Sequence, residues 1–139
     1  MALGLDAVQL HGRVEELDWA KFLPGVFVIR VFHMTPDEEK NAPTLHDALR
    51  PGYHHIILLD TATQGGQDGG SGVSFNWSHV SNIPVPFLIA GGLTPDNVQE
   101  ALTQSLAAGV DTSSGVETEG QKDTAKITAY VENARRVLS

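Results

Sequence analysis

The chain has 139 residues, 41% hydrophobic and 19% charged, which suits one globular domain over residues 1–139 with a real core and argues against disorder. Seventeen acidic residues against nine Lys and Arg give a formal net charge of -8, which argues against a nucleic-acid or anionic-membrane surface, because such surfaces need clustered cations. There is no cysteine, so disulfides, thiolate metal sites and thiol catalysis are excluded within these residues.

The opening "MALGLDAVQLHG" lacks the basic, apolar and small-residue pattern of a secretory signal, and a cytoplasmic location is the default expectation. Within it, "DAVQLHG" predicts a strand whose alternation sets Gln9 and His11 on one face and Val8 and Leu10 on the other. "VEELDWAKFL" (14–23) has helical spacing. "GVFVIRVF" (25–32) predicts a second strand, in which Arg30 shares the parity of Phe32 and is either an interior charge facing a carboxylate or an edge residue. In "TPDEEKNAPTLHDALR" (35–50) Pro43 breaks the helical pattern, which predicts a shorter helix from about Thr44.

"HHIILLD" (54–60) and "VPFLIAGG" (85–92) predict two further strands. "TPDNVQEALTQSL" (94–106) predicts a helix capped by Thr94, with Pro95 at its first position and Val98, Ala101, Leu102 and Leu106 on one face. "GVDTSSG" (109–115) predicts a fifth strand. "DTAKITAYVENARRVL" (123–138) predicts a final helix with Ile127, Val131, Ala134 and Leu138 along one stripe and Arg135 and Arg136 in its last turn. Strand followed by helix, repeated about five times at about 25 to 30 residues per unit, is the pattern of an α/β protein with a parallel sheet.

In such folds the loops after the strands converge on one rim, so the residues ending each strand are the candidates for chemistry. Gly91 and Gly92 after the fourth strand, with Ser113, Ser114 and Gly115 after the fifth, offer backbone N–H and hydroxyl donors suited to a phosphate; either loop alone could equally be a tight turn. Asp60 ends an apolar strand, where partial desolvation suits a general acid, although a capping role for the following turn fits as well. Gly70 and Gly72 belong to a glycine-rich loop that either folds over a ligand or acts as a linker. His11 points either into the site or into a structural contact, and Asp111 shares a face with Ser113. His54 and His55 lead into a strand, while His33, His46 and His79 show no metal-ligand spacing, so no metal site is expected. Trp19, Trp77 and Tyr130 read as packing residues, and neither a dinucleotide fingerprint nor a P-loop is present.

Taken in order, "DAVQLHG" (Asp6–Gly12), "LLDT" (Leu58–Thr61) with "GGSGVSFNW" (Gly69–Trp77), "LIAGGLTPDNVQEAL" (Leu88–Leu102) and "GVDTSSGVETEGQKDTAKI" (Gly109–Ile127) resemble the phosphoribosylanthranilate isomerase family of tryptophan biosynthesis. The resemblance implies a (βα)8 TIM barrel of which this chain carries about five of eight units, strands four to eight. It implies an Amadori rearrangement of phosphoribosylanthranilate to carboxyphenylamino-deoxyribulose phosphate, a sugar-phosphate substrate, and no cofactor or metal. It further implies that Asp60 is the acid, that His11 and Asp111 contact the substrate, and that Gly91, Gly92, Ser113 and Ser114 hold its phosphate.

The family's base is a cysteine in a "K-[IV]-C-G" motif after the first barrel strand, and an arginine after the second holds the anthranilate carboxylate; neither motif occurs here. The chain alone is therefore expected to have little isomerase activity. Five strands cannot close a barrel, so the expectation is an open twisted sheet of marginal stability, self-association across the edges or a complementing N-terminal segment. Other phosphate-binding barrels, such as indole-glycerol-phosphate synthase or ribulose-phosphate epimerase, would show a Lys and Glu pattern or metal-binding histidines at strand ends. A non-catalytic barrel remnant that binds a sugar phosphate or a complementing chain is the alternative from a different class.

Overall fold

The computed structural model describes residues 4–11, 24–50, 55–61 and 75–139. The helical reading of 14–23, with Trp19, and the glycine-rich loop with Gly70 and Gly72 lie outside the described residues, as does His54. Five parallel strands, β1 (Ala7–Leu10), β2 (Phe27–His33), β3 (Ile56–Asp60), β4 (Phe87–Ala90) and β5 (Gly109–Val110), form one sheet in chain order. Three α-helices are described: α1 (Glu38–Ala48), α2 (Val98–Ser105) and α3 (Thr124–Leu138). A small hairpin of β6 (Glu117–Thr118) and β7 (Gln121–Lys122) precedes α3. Among the described residues no helix is long and apolar enough to cross a membrane.

Pleating sorts each strand's side chains onto two faces. On the helix-covered face Phe32, Ile57, Leu59, Phe87 and Ile89 pack with Val98, Ala101, Leu102, Tyr130 and Ala134 in one large buried cluster. The opposite face holds a smaller cluster of Val31, Leu58 and Ala90, with Ile29 and Leu88 against it. Register carries that second face to the rim: Gln9 pairs with Ile29, Val31 with Leu58, His33 with Asp60, and Asp60 with Ala90. At β5 a side chain on Gly109 would come within 2.8 Å of the Leu88 side chain, which would have to shift to admit it.

Four expectations are corrected. Helix α1 begins at Glu38 and runs through Pro43. The proline sacrifices one backbone bond, but its turn is anchored by buried Asn41, which accepts from the Thr35 N–H (2.8 Å) and donates to the Thr35 carbonyl (2.7 Å). The helix expected from Pro95 starts at Val98; Thr94 caps the turn before it, its hydroxyl accepting from Asp96 N–H and its carbonyl from Val98 N–H. Leu106 is 68% exposed and left-handed (φ 59°), because it terminates α2 and turns away, leaving Ser105 as the last buried position. On α3 the face against the core is Tyr130 and Ala134, while Ile127, Val131 and Leu138 stay 40%, 39% and 46% exposed. Of the expected stripe only Ala134 meets the described core.

Arg30 does share a face with Phe32, its guanidinium 5.1 Å from the ring centre, and that is the helix-covered face. Burial lowers its pKa and the charge of Asp47 on α1 opposes the shift. His55 secures the start of β3: its Nδ1 accepts from Val28 N–H at 2.9 Å and its ring stacks on Phe27.

Helix α3 begins at Asp123, whose carboxylate accepts from Ala125 N–H (2.9 Å), Lys126 N–H (3.2 Å) and the Thr118 hydroxyl (2.8 Å). The Thr118 bond first, then the backbone bonds, hold this carboxyl below its ordinary value. A lowered folded-state pKa stabilises the fold above the unfolded value of about 4, and the benefit is lost as pH falls through the folded value. Asp123→Ala should therefore lower the urea midpoint at neutral pH, with the deficit against wild type shrinking as unfolding is repeated at progressively lower pH; a deficit independent of pH would refute the carboxylate cap.

Candidate active site

The rim is tied strand by strand. Met34 N–H donates to the Asp60 carbonyl (2.8 Å), Thr61 N–H to the Ala90 carbonyl (2.8 Å), and Asp111 N–H to the Ile89 carbonyl (2.9 Å). Thr61 is buried and its hydroxyl donates to the carbonyls of Ala90 (2.9 Å) and Gly91 (3.2 Å). Asp60 is thus held one strand away from the turn that opens with Gly91. Its carboxylate meets His33 Nδ1 at 3.3 Å, and its side chain is 22% exposed. The His11 ring lies 6.2 Å from that of His33, and its Nε2 is 3.0 Å from Gln9 Oε1, as their shared parity on β1 and the rim predicts.

Gly91 and Gly92 adopt successive positive φ values of 95° and 65°, a backbone region that other residues enter at a cost of about 1 kcal/mol or more. The next loop lies directly against this turn. Thr112 donates its hydroxyl to the Leu93 carbonyl (2.7 Å), and a side chain on Gly115 would collide with that same carbonyl oxygen at 1.7 Å. Ser113 and Ser114 are exposed beside the contact, and Asp111 is exposed at the start of the loop. The geometry therefore gathers Gly91, Gly92, Ser113, Ser114 and Gly115 on one side of the rim, with Asp60 on the adjacent strand and His11 beyond His33. The described residues hold no cluster of three or more His, Asp or Glu able to ligate a metal.

Three residues near the rim escape a reading from composition. His33 has the parity of Ile29 and Val31 and ends its strand in register with Asp60, so pairing adjacent strand ends would have found it. Thr61 was legible only as the residue after Asp60. Lys122 sits in the hairpin, where Glu119 (φ 52°) and Gly120 (φ 73°) make a two-residue turn that sets Lys122 opposite Glu117. Its Nζ reaches Glu117 Oε1 (2.6 Å), the Ser113 carbonyl (2.8 Å) and Ser113 Oγ (3.1 Å). Tyr130 on α3 buries its hydroxyl without a hydrogen-bond partner among the described residues; burial, and secondly the charge of Asp111, push its phenol up.

Residues 1–133 match the family model described as N-(5'-phosphoribosyl)anthranilate (PRA) isomerase. The chain is 44% identical over 129 residues to a multifunctional tryptophan biosynthesis protein of Schizosaccharomyces pombe, covering 93% of this chain and 15% of that protein. It is 41% identical over 143 residues to the N-(5'-phosphoribosyl)anthranilate isomerase of Eremothecium gossypii, covering 97% of this chain and 64% of that enzyme. The crystal structure of the Thermotoga maritima phosphoribosyl anthranilate isomerase superposes with a TM-score of 0.71 at 35% identity, covering 95% of this chain and 62% of that one. The chain thus spans less than two thirds of the length of these proteins.

The contact between the last two loops makes a testable distinction. Gly115→Ala forces a methyl group onto the Leu93 carbonyl and should cost about 2–3 kcal/mol in urea unfolding. Gly92→Ala meets no atom within 4 Å and is penalised only by its φ, so about 1 kcal/mol is expected. Equal costs for the two variants would show that the loops do not press together.

Proposed function

The chain belongs to the N-(5'-phosphoribosyl)anthranilate isomerase family, and from that premise we propose that it forms the phosphate-binding and acid-bearing part of such an isomerase, corresponding to strands four to eight of the barrel. The observation that carries the reading is the juxtaposition of Asp60 with two touching donor loops. Asp60 pairs with Ala90, the residue before Gly91-Gly92, and Thr112 ties the following loop to Leu93. A solved isomerase of the family, 30% identical to this chain over 95% of it, binds reduced 1-(o-carboxyphenylamino)-1-deoxyribulose 5-phosphate, which supports a substrate of this kind.

In this reading the N–H groups around Gly91, Gly92, Ser113, Ser114 and Gly115 grip the 5'-phosphate, supplying local donors in a chain of net negative charge. Asp60 then gives its proton to the furanose ring oxygen as the bond from that oxygen to the first sugar carbon breaks. The substrate nitrogen's lone pair forms the C=N bond, so charge is conserved. A base removes the proton from the second sugar carbon, giving an enolamine that tautomerises to the aminoketose. His11 and Asp111 contact the substrate hydroxyls and the pocket wall. Without the cysteine motif and carboxylate-binding arginine, the base step needs residues outside this sequence.

Those residues come, we infer, from a complementing segment equivalent to the first three βα units. Two features support that occupant. The chain covers 64% of the E. gossypii enzyme, leaving roughly a third of that enzyme's length to supply. The outward apolar stripe of Ile127, Val131 and Leu138 on α3 gives an adjoining unit a surface to cover.

The test mixes this chain with the N-terminal third of the E. gossypii enzyme and follows conversion of phosphoribosylanthranilate by chromatography. The chain alone should be nearly inactive and the mixture active, with Asp60→Asn reducing the mixture's kcat by about 10² to 10⁴. Full turnover by the Asp60→Asn mixture would remove the acid assignment. An inactive wild-type mixture that still binds inorganic phosphate would favour the alternative, a non-catalytic sugar-phosphate binder.

A further inference from the structure

We propose that Lys122 is a positioning residue for the phosphate loop: by donating to Ser113 Oγ it forces the Ser113 hydroxyl to spend its own hydrogen on a bound phosphoryl oxygen. The inference deepens the proposed phosphate site and rests on that reading.

A serine oxygen carries one hydrogen to give and lone pairs to receive. Lys122 Nζ has three hydrogens and three acceptors in reach: Glu117 Oε1, the Ser113 carbonyl and Ser113 Oγ, at 2.6, 2.8 and 3.1 Å. An ammonium cannot accept, so at Ser113 Oγ the lysine is always the donor. The serine hydrogen must then point elsewhere, and among the described residues Ser113 Oγ has no protein acceptor. Ser113 is exposed beside Ser114 and next to the turn of Gly91 and Gly92, so its hydrogen is available to an anion there.

The arrangement also fixes the sign of the local charge. Glu117 faces Lys122 across the hairpin, and its carboxylate offsets the ammonium close to where a dianion would bind. The Glu117 carbonyl accepts from Lys126 Nζ, and the hairpin register sets the Glu117 and Lys122 side chains opposite each other. Lys122 therefore orders the loop without leaving an uncompensated positive charge in it. Removing the lysine and removing the glutamate should move phosphate binding in opposite directions, which a purely architectural lysine would not do.

The test uses the whole chain and inorganic phosphate, with backbone amide shifts of Gly91, Gly92, Ser113 and Ser114 followed by NMR at constant ionic strength. Lys122→Gln should bind about five-fold more weakly, and Lys122→Arg, which keeps charge and donors, should stay within about two-fold of wild type. Glu117→Gln should bind about two-fold more tightly, because it retains an acceptor while dropping the opposing charge. In a Ser113→Ala background, Lys122→Gln should lose most of its effect. Equal phosphate binding by wild type and a folded Lys122→Gln, or weakened binding by Glu117→Gln, overturns the inference and leaves the phosphate site standing. No movement of those four amides in the wild-type chain would instead remove the phosphate site itself, and the inference with it.

Discussion

The structure turns on backbone contact between consecutive strand ends. Thr61, Thr112 and Gly115 do the fastening: the Thr61 hydroxyl donates to the carbonyls of Ala90 and Gly91, the Thr112 hydroxyl donates to that of Leu93, and one glycine lets two main chains meet. Carbonyl oxygens at strand ends otherwise face water, so binding them side by side commits the loops to one arrangement. Everything chemical is suspended from that arrangement. Asp60 is placed by the ties of Thr61, which follows it, and the loops that carry Gly91 and Ser113 are held together by the tie from Thr112 to Leu93.

The two faces of the sheet do different work. The helix-covered face carries the large cluster, with Ile57, Leu59, Ile89, Val98 and Leu102 almost fully buried. The other face holds three buried residues and ends in polar groups: Gln9, His11, His33, Asp60 and Asp111. The main apolar burial and the candidate site are therefore segregated by strand parity, and an alternating strand lets one sequence serve both.

Alternation and punctuation were enough to read five strands, the final helix and the rim positions, because each depends on side chains within a few residues of one another. What escaped depends on distant partners. Pro43 looked like a helix break because its lost bond is local, whereas the compensation through Asn41 and Thr35 is not visible as periodicity. Of the expected stripe of Ile127, Val131, Ala134 and Leu138 only Ala134 is buried, because which side of α3 meets the described core is decided by how the helix lies on the sheet, and Tyr130 shares that side. His33 carried no signal as a lone histidine; its meaning comes from standing opposite Asp60, and strand register is a long-range property. Lys122 was hidden for the same reason, since a two-residue turn brings it back beside Glu117.

The lopsided core has an evolutionary corollary. Because the larger apolar cluster among the described residues joins strands to helices that follow them, as β4 to α2, a run of such units carries much of its cohesion with it. Innovation is then cheapest at the polar tips, where a residue can be exchanged without disturbing the layer beneath.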